Sequence, residues 1–319
     1  GEDARLYEAV KGVSDFAIAL GINVPTGKDS LSMKQKYKNE EVISPGTVII
    51  SATGHCNDVT KVIEPVLQKD AGAIYYINLS QDSYKLGGSS FAQTQNKIGK
   101  EVPTIQDDAK FADAFNAIQA LVKQEMIVAG HDVASGGLIT SLLEMCFADN
   151  DLSAAIDLSE LNKEDSVKLL FNENCGIIFQ AKDNSAEAFL KETGIEFFKI
   201  GTVKSGRELS VKNVKDNFSF NIPQLRDVWY KTSFLLDQKQ SGLDKATERF
   251  HNYKEQALEF KFPKHFTGKL PVISIAKSQP KIKAAIIREK GSNSEREMAR
   301  AMHLAGFDVK DVHMTDLIS

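Results

Sequence analysis

Apolar residues first recur at helical spacing, at Leu6, Val10, Val13, Ala17 and Leu20, and Gly21 follows where a C-terminal glycine cap belongs. The period then shortens. Leu31, Met33, Gln35 and Tyr37 alternate with Ser32, Lys34 and Lys36, which predicts a strand, and a polar turn at Pro45-Gly46 leads to a second strand over residues 47–53. From residue 54 to 222 strand and helix signals alternate. Strands are expected over residues 73–79, 126–129, 154–158, 175–181, 195–203 and 209–211. Between them Leu86-Gly87-Gly88-Ser89-Ser90 opens a short helix, and Asp107 or Asp108 caps a longer one whose Phe111, Phe115, Ile118 and Val122 share a face. A further helix runs through Leu138, Leu142, Leu143 and Phe147, another carries Val167, Leu170 and Phe171, and Asn184-Ser185 begins the last. The polar hairpins among these segments favour a mixed sheet over a fully parallel one.

An amphipathic helix over residues 224–236 carries the single tryptophan, Trp229. Residues 237–270 are rich in Lys, Gln and Glu and, with Pro263, Gly268 and Pro271, read as a linker holding one helix over 243–258. A new unit follows: a strand over 284–287, a loop over 288–293, a helix from Glu295 and a strand from Phe307. Ser294 and Glu297 stand at capping-box spacing at the start of that helix. Such a β-α-β start belongs to a doubly wound sheet. Because the chain begins at Gly1 without methionine and stops at Ser319 inside that unit, it reads as a piece of something longer.

Composition narrows the class. The 319 residues are 42% hydrophobic and 26% charged, enough apolar mass for two or three domains. A net charge of −4 and a pI near 5.9 provide no basic excess for counterion release, which excludes a nucleic-acid binder. No apolar run has the length of a membrane span and no signal peptide is visible, so a cytoplasmic protein is expected. Cys56, Cys146 and Cys175 are odd in number, widely spaced and set in apolar segments, and read as buried free thiols of a reducing compartment.

The stretch with most chemical content is Gly130-His131-Asp132-Val133-Ala134-Ser135-Gly136-Gly137, between an apolar strand and a helix. Its glycines allow close backbone approach to a phosphate, and the helix start offers N–H groups to an anion. Asp132 then reads either as a Mg²⁺ ligand, since that ion takes one or two carboxylates plus phosphate oxygens, or as the helix cap. After a buried strand its carboxylate is expected to need a metal, a cation or backbone N–H groups around it. His131 reads as a general base or as a ring bonded to backbone. Thr26-Gly27-Lys28-Asp29-Ser30 could hold a phosphate and a metal, but lacks P-loop spacing and uses the residue types of ordinary turns. The paired glycines at Gly87-Gly88 can likewise serve packing alone. The six histidines include no i, i+4 pair around a glutamate, and no cysteine follows a glycine-rich nucleophile turn.

The combination is more specific than its parts. Gly1-Glu2-Asp3-Ala4-Arg5-Leu6-Tyr7, Val24-Pro25-Thr26-Gly27-Lys28-Asp29-Ser30-Leu31-Ser32-Met33-Lys34, Leu86-Gly87-Gly88-Ser89, His131-Asp132-Val133-Ala134-Ser135-Gly136-Gly137-Leu138 and Leu170-Phe171-Asn172-Glu173 occur in order. Together they closely resemble the large, single-chain phosphoribosylformylglycinamidine synthase (FGAM synthase) family. The tail, Ile287-Arg288-Glu289-Lys290-Gly291-Ser292-Asn293-Ser294 through Asp311-Val312-His313-Met314-Thr315-Asp316-Leu317, resembles the opening of that family's glutaminase domain.

The resemblance implies an α/β chain: the C-terminal half of a mixed-sheet domain of the aminoimidazole ribonucleotide synthetase type, then the first β-α-β of a class I glutamine amidotransferase. Residues 1–53 would be the remainder of an N-terminal subdomain of the second synthase repeat, and 54–222 its C-terminal subdomain. Residues 223–280 would be a helical linker and 281–319 the truncated glutaminase start. The implied reaction converts formylglycinamide ribonucleotide, glutamine and ATP to formylglycinamidine ribonucleotide, glutamate, ADP and phosphate. Gly27 would approach the nucleotide and Ser30 would bond the substrate. Lys28 stands where the smaller family form has a metal-binding asparagine, so its ammonium would contact phosphate directly. Asp132 would be a Mg²⁺ ligand of an auxiliary ADP site. Ala134 and Ser135 replace the family's serine and aspartate there, which removes a nucleotide contact. The synthase histidine and the glutaminase Cys-His-Glu set lie outside the chain, whose partners would be those small molecules and the remaining domains of one polypeptide. Alternatives are another ATP-binding member of the superfamily, of selenophosphate synthetase or thiamin-phosphate kinase type, and a non-catalytic scaffolding module.

Overall fold

The computed structural model describes residues 2–25, 27, 34–44, 46–56, 58, 61–148, 151–161, 165–254, 261, 263–265 and 282–318. By contacts the chain divides into two units, Gly1–Glu255 and Gln256–Ser319.

The first unit opens with helix α1 (Glu2–Ala19). It ends in a Schellman motif: Gly21 is left-handed at φ 67°, Ile22 N–H donates to Ala17 O at 2.8 Å and Gly21 N–H to Ile18 O at 3.1 Å. The hairpin that follows differs from the expected one. Strand β1 (Lys34–Tyr37) turns at Lys38, φ 43°, and pairs with β2 (Glu40–Ile43). Residues 47–53 form no strand, and Val48, Ile49 and Ile50 are 54%, 84% and 65% exposed. The tight turn pairs β1 with its immediate neighbour, and strand propensity without a buried face does not make a strand.

The centre of the unit contains β3 (Ile74–Asn78), α2 (Ser90–Thr94), α3 (Asp108–Lys123), β4 (Ile127–Asp132), α4 (Gly137–Glu144), β5 (Leu152–Asp157) and α5 (Ser166–Phe171). It continues through β6 (Gly176–Ala181), α6 (Ser185–Thr193), β7 (Phe198–Ser205), β8 (Glu208–Lys212) and β9 (Asn217–Asn221). Strands β3 to β9 form one seven-stranded sheet in the order β4-β6-β3-β7-β5-β8-β9, antiparallel except for the β5–β8 pair. The mixed sheet is the one the hairpin signals predict. Strand β3, Ile74-Tyr75-Tyr76-Ile77, lies inside the sheet between β6 and β7 and is buried on both faces by alternation. Ile74 and Tyr76 join α4 and α5 in one core cluster, and Tyr75 and Ile77 join α3 and α6 in the other. Asp107 caps α3 by accepting from Lys110 N–H at 3.0 Å. The helix buries Ala114, Ala117, Ile118 and Leu121; of the expected face Phe111 and Val122 pack against this cluster, while Phe115 is 44% exposed.

Helices α7 (Ile222–Ser241) and α8 (Leu243–His251) close the unit as a hairpin through Gly242. The second helix is shorter than residues 243–258; a 3₁₀ turn at Asn252–Lys254 follows, and 255–258 lie outside the described residues. Buried Arg226 joins the two helices. Its guanidinium donates to Phe250 O at 3.0 Å and lies 4.9, 5.4 and 3.4 Å from the ring centres of Tyr230, Phe250 and Tyr253.

The second unit consists of β10 (Lys283–Arg288), α9 (Glu295–Leu304), β11 (Asp308–His313) and α10 (Thr315–Ile318). The strands pair in parallel, as the β-α-β signal requires. The expected capping box does not form. Ser294 is left-handed at φ 68°, makes no side-chain cap bond, and gives its own N–H to Asn293 Oδ1 at 2.8 Å. Among the described residues no helix is long and apolar enough to cross a membrane.

Candidate functional site

The C-terminal ends of β3 and β4 and the N-terminal end of β6 meet at one end of the sheet, where Asn78 pairs with Gly176 and Asp132 with Ile177. Asp132 ends β4. Its carbonyl accepts from Ser141 Oγ at 3.0 Å, and Val133 N–H donates to Gly176 O at 2.8 Å. The backbone is thus held while the side chain is 77% exposed. Two expectations are corrected here. The carboxylate is hydrated, not buried, and it does not cap α4, whose N-cap is Gly136 at φ 90° with no side-chain cap bond. The cap reading is removed and an open carboxylate remains.

The glycines also do something other than expected. A Cβ on Gly137, at φ 76°, would stand 2.5 Å from Asn172 O and 2.6 Å from Phe171 C, so the glycine permits α4 to abut the backbone at the end of α5. A Cβ on Gly87 would stand 2.2 Å from Glu101 O, the packing role. Nor are the loop N–H groups simply free for an anion. Gly137 N–H donates to Ala134 O at 2.9 Å, and Gly136 N–H donates to Glu173 Oε1 at 2.8 Å. The same Glu173 oxygen accepts from Ser90 N–H at 2.8 Å, at the first residue of α2. Reading residue by residue gave Glu173 no role. The acid three residues into a helix that closes a capping box is a recognisable signal; an acid supplied from 37 residues away is not.

Beside Asp132, His131 bonds on both sides. Nδ1 is 2.7 Å from Asp132 O and Nε2 is 2.9 Å from Glu144 Oε2, while Trp229 Nε1 donates to Glu144 Oε1 at 2.7 Å. A carbonyl and a carboxylate are both acceptors, so this geometry favours the ring form that donates from both nitrogens. The Glu144 bond holds its pKa above the ordinary 6.5 despite the opposing effect of burial. The same bond lowers Glu144 below 4.5, against burial, with Trp229 assisting. A histidine with raised pKa contributes stability that is full below 6.5 and lost as pH rises through its folded value; a carboxylate with lowered pKa contributes above 4.5 and loses it as pH falls through its folded value. The pair therefore stabilises most between those limits. Thermal melts at pH 6 and pH 8 are expected to show a loss toward pH 8 that Glu144→Gln reduces; equal losses would place the His131 proton elsewhere.

Of the other sequence-predicted residues, Gly27 is exposed, and a Cβ there would have no heavy atom within 4 Å. Lys28 and Ser30 lie outside the described residues. Only Cys146 is a buried thiol, pushed up to about 12 by burial; Cys56 and Cys175 are exposed, because their segments lie in a loop and at a strand entry instead of inside the sheet. No group of three His, Cys, Asp or Glu able to hold a metal occurs among the described residues. Asp132 fits a Mg²⁺ ion as a single open ligand, which a bound phosphate would have to complement.

Three sequence families match in succession: "FGAR-AT PurM_N-like domain" over residues 1–55, "AIR synthase related protein, C-terminal domain" over 76–213, and "CobB/CobQ-like glutamine amidotransferase domain" over 281–319. The seven-stranded unit is thus an AIR synthase C-terminal domain, and the β-α-β unit is glutamine amidotransferase-like. The chain is similar to a human protein named "Phosphoribosylformylglycinamidine synthase", 34% identical over 333 residues, covering 100% of this chain and 24% of that protein. It is similar to an Arabidopsis thaliana protein named "Probable phosphoribosylformylglycinamidine synthase, chloroplastic/mitochondrial", 33% identical over 334 residues, covering 100% and 23%. The chain therefore spans about a quarter of the length of these relatives. A solved structure, "T. maritima PurL complexed with FGAR", superposes with a TM-score of 0.45 at 12% identity, covering 67% of this chain and 36% of that one.

Proposed function

We propose that this chain is a segment of a phosphoribosylformylglycinamidine synthase, the later part of its second synthase repeat joined to the opening of its glutaminase domain. The observation that carries the reading is homology along the whole chain to proteins of that name, with three matched families in the order such an enzyme requires. The glutaminase-like stretch after residue 280 separates it from the kinase-type members of the superfamily, and matched relatives that are named enzymes disfavour a scaffold. The four segments 1–53, 54–222, 223–280 and 281–319 are proposed as its working parts.

The reaction is ATP-dependent. The amide oxygen of formylglycinamide ribonucleotide takes a phosphoryl group from ATP, releasing ADP. Ammonia, freed from glutamine by water, adds to the activated carbon as phosphate leaves, giving the amidine and glutamate. Such transfers depend on positioning and on charge neutralisation. In this chain Gly27, Lys28 and Ser30 would face the nucleotide and substrate. Asp132 would hold a Mg²⁺ ion against the phosphates of an auxiliary ADP, with the ion supplying charge neutralisation. The free thiols suit a reducing, cytoplasmic setting. Alone, the chain would neither form the amidine nor hydrolyse glutamine, since residues 281–319 contain no cysteine to serve as the nucleophile.

Ligand-dependent stability tests the site. In the full-length polypeptide Asp132→Asn is expected to abolish most of the thermal stabilisation given by Mg²⁺ and ADP while changing ligand-free stability little, because the exposed carboxylate's 3.3 Å contact with His131 Nδ1 is screened by solvent. Equal ligand stabilisation of wild type and variant would remove Asp132 from the metal site. A response absent from both would assign the loss to Ala134 and Ser135.

A further inference from the structure

We propose that Glu173 is a positioning residue for the nucleotide site: one carboxylate oxygen fastens the loop after Asp132 to the glycine loop before α2, fixing both against α5. The inference rests on the nucleotide reading of Asp132 given above. Two segments far apart in sequence converge on Glu173 Oε1, which accepts from Ser90 N–H and Gly136 N–H, each at 2.8 Å. At the α4 end the bond closes the helix start in the way a capping-box acid would, but from another segment. At the α2 end it satisfies an N-terminal donor that Ser89, bonded to Ala92 N–H at 3.2 Å, leaves over.

Glu173 is itself aimed by its neighbours. Asn172 is buried and donates to Lys168 O and Leu169 O at 2.9 and 2.8 Å, anchoring the chain to the last turn of α5. Asn174, also buried, donates to Ser80 Oγ, Asp82 O and Ser83 O at 3.0, 3.3 and 3.2 Å. Asn174 N–H donates to Asn172 Oδ1 at 3.2 Å. The backbone on both sides of Glu173 is therefore pinned, and Phe91 stacks on Phe171 at 4.8 Å across the same junction. Bonds to an ionised acceptor are the strong ones, so the two N–H groups hold their loops to a common point. Asp132 lies four residues before Gly136, on the stretch that Glu173 fixes, and a single exposed carboxylate needs that registration to meet a metal and a phosphate together.

The test uses the full-length polypeptide, with Mg·ADP as probe, and two variants. Glu173→Ala removes both bonds; Glu173→Gln keeps an acceptor without the charge. Backbone hydrogen exchange should accelerate together in peptides containing Ser90 and Gly136 in Glu173→Ala, and Mg·ADP affinity should fall about tenfold to a hundredfold. Glu173→Gln should recover part of both. A purely structural glutamate would lower the melting temperature while leaving the affinity of the folded variants unchanged, and that result overturns the proposal. Tighter binding by Glu173→Ala would overturn it too, showing the carboxylate to be a competitor for the phosphate's place. If wild type binds Mg·ADP and the alanine variant binds it equally, positioning alone fails. If wild type shows no response, the nucleotide reading fails and the proposal with it.

Discussion

Gly137→Ala is expected to destabilise the unit spanning Gly1–Glu255 by about 2–5 kcal/mol, from two additive causes. The residue sits at φ 76°, where a side chain costs about 1–2 kcal/mol. Its Cβ would also meet Asn172 O, Phe171 C and Leu170 O at 2.5, 2.6 and 2.8 Å, all of them backbone atoms that no rotamer change can move. Separating α4 from α5 to make room adds about 1–3 kcal/mol of overpacking strain. Gly194→Ala supplies the control. Gly194 is left-handed as well, at φ 71°, but nothing lies within 4 Å of its Cβ position, so only the conformational part applies. Urea unfolding of the two variants separates the contributions. Equal losses would mean that α4 does not abut the Asn172 backbone as described.

Arg226→Ala should be the other severe substitution, at about 2–4 kcal/mol, and its damage should be local to α7 and α8. The guanidinium is buried, donates to Phe250 O and faces the rings of Tyr230, Phe250 and Tyr253, so its loss removes a charged hydrogen bond and several cation–π contacts together. Arg226→Lys should restore little, because an ammonium lacks the planar face that stacks on rings. Hydrogen exchange read by mass spectrometry should show α8 losing most of its protection in both variants while β3 and β6 keep theirs. Retained protection in α8 would show that the aromatic packing suffices without the arginine.

What was legible in the sequence follows from the range of each signal. Two helix ends written in adjacent residues came through, the glycine after α1 and Asp107 before α3, while the capping box at Ser294 did not form. The mixed sheet was readable because its strands alternate with helices and are joined by polar turns. Failures occurred where a non-local partner decides. Residues 47–53 have strand composition but form no strand, and Val48, Ile49 and Ile50 are exposed. Phe111, Ile118 and Val122 of the expected stripe of α3 do pack on the core, but Phe115 is exposed while the small Ala114 and Ala117 are buried. Asp132 could be found as an acid at the end of a strand, but not its exposure or the absence of a capping bond. Glu173 bonds residues 83 and 37 positions away, a pairing no local pattern records. Family resemblance carried the function further than the residues could.

The most direct measurement is the ligase reaction itself, made with the full-length polypeptide that contains this chain. Supplied with formylglycinamide ribonucleotide, glutamine, ATP and Mg²⁺, it should yield formylglycinamidine ribonucleotide with one ADP and one glutamate for each product, and the 319-residue chain by itself should yield none. A folded full-length polypeptide that consumes neither ATP nor glutamine in the presence of that ribonucleotide would contradict the account.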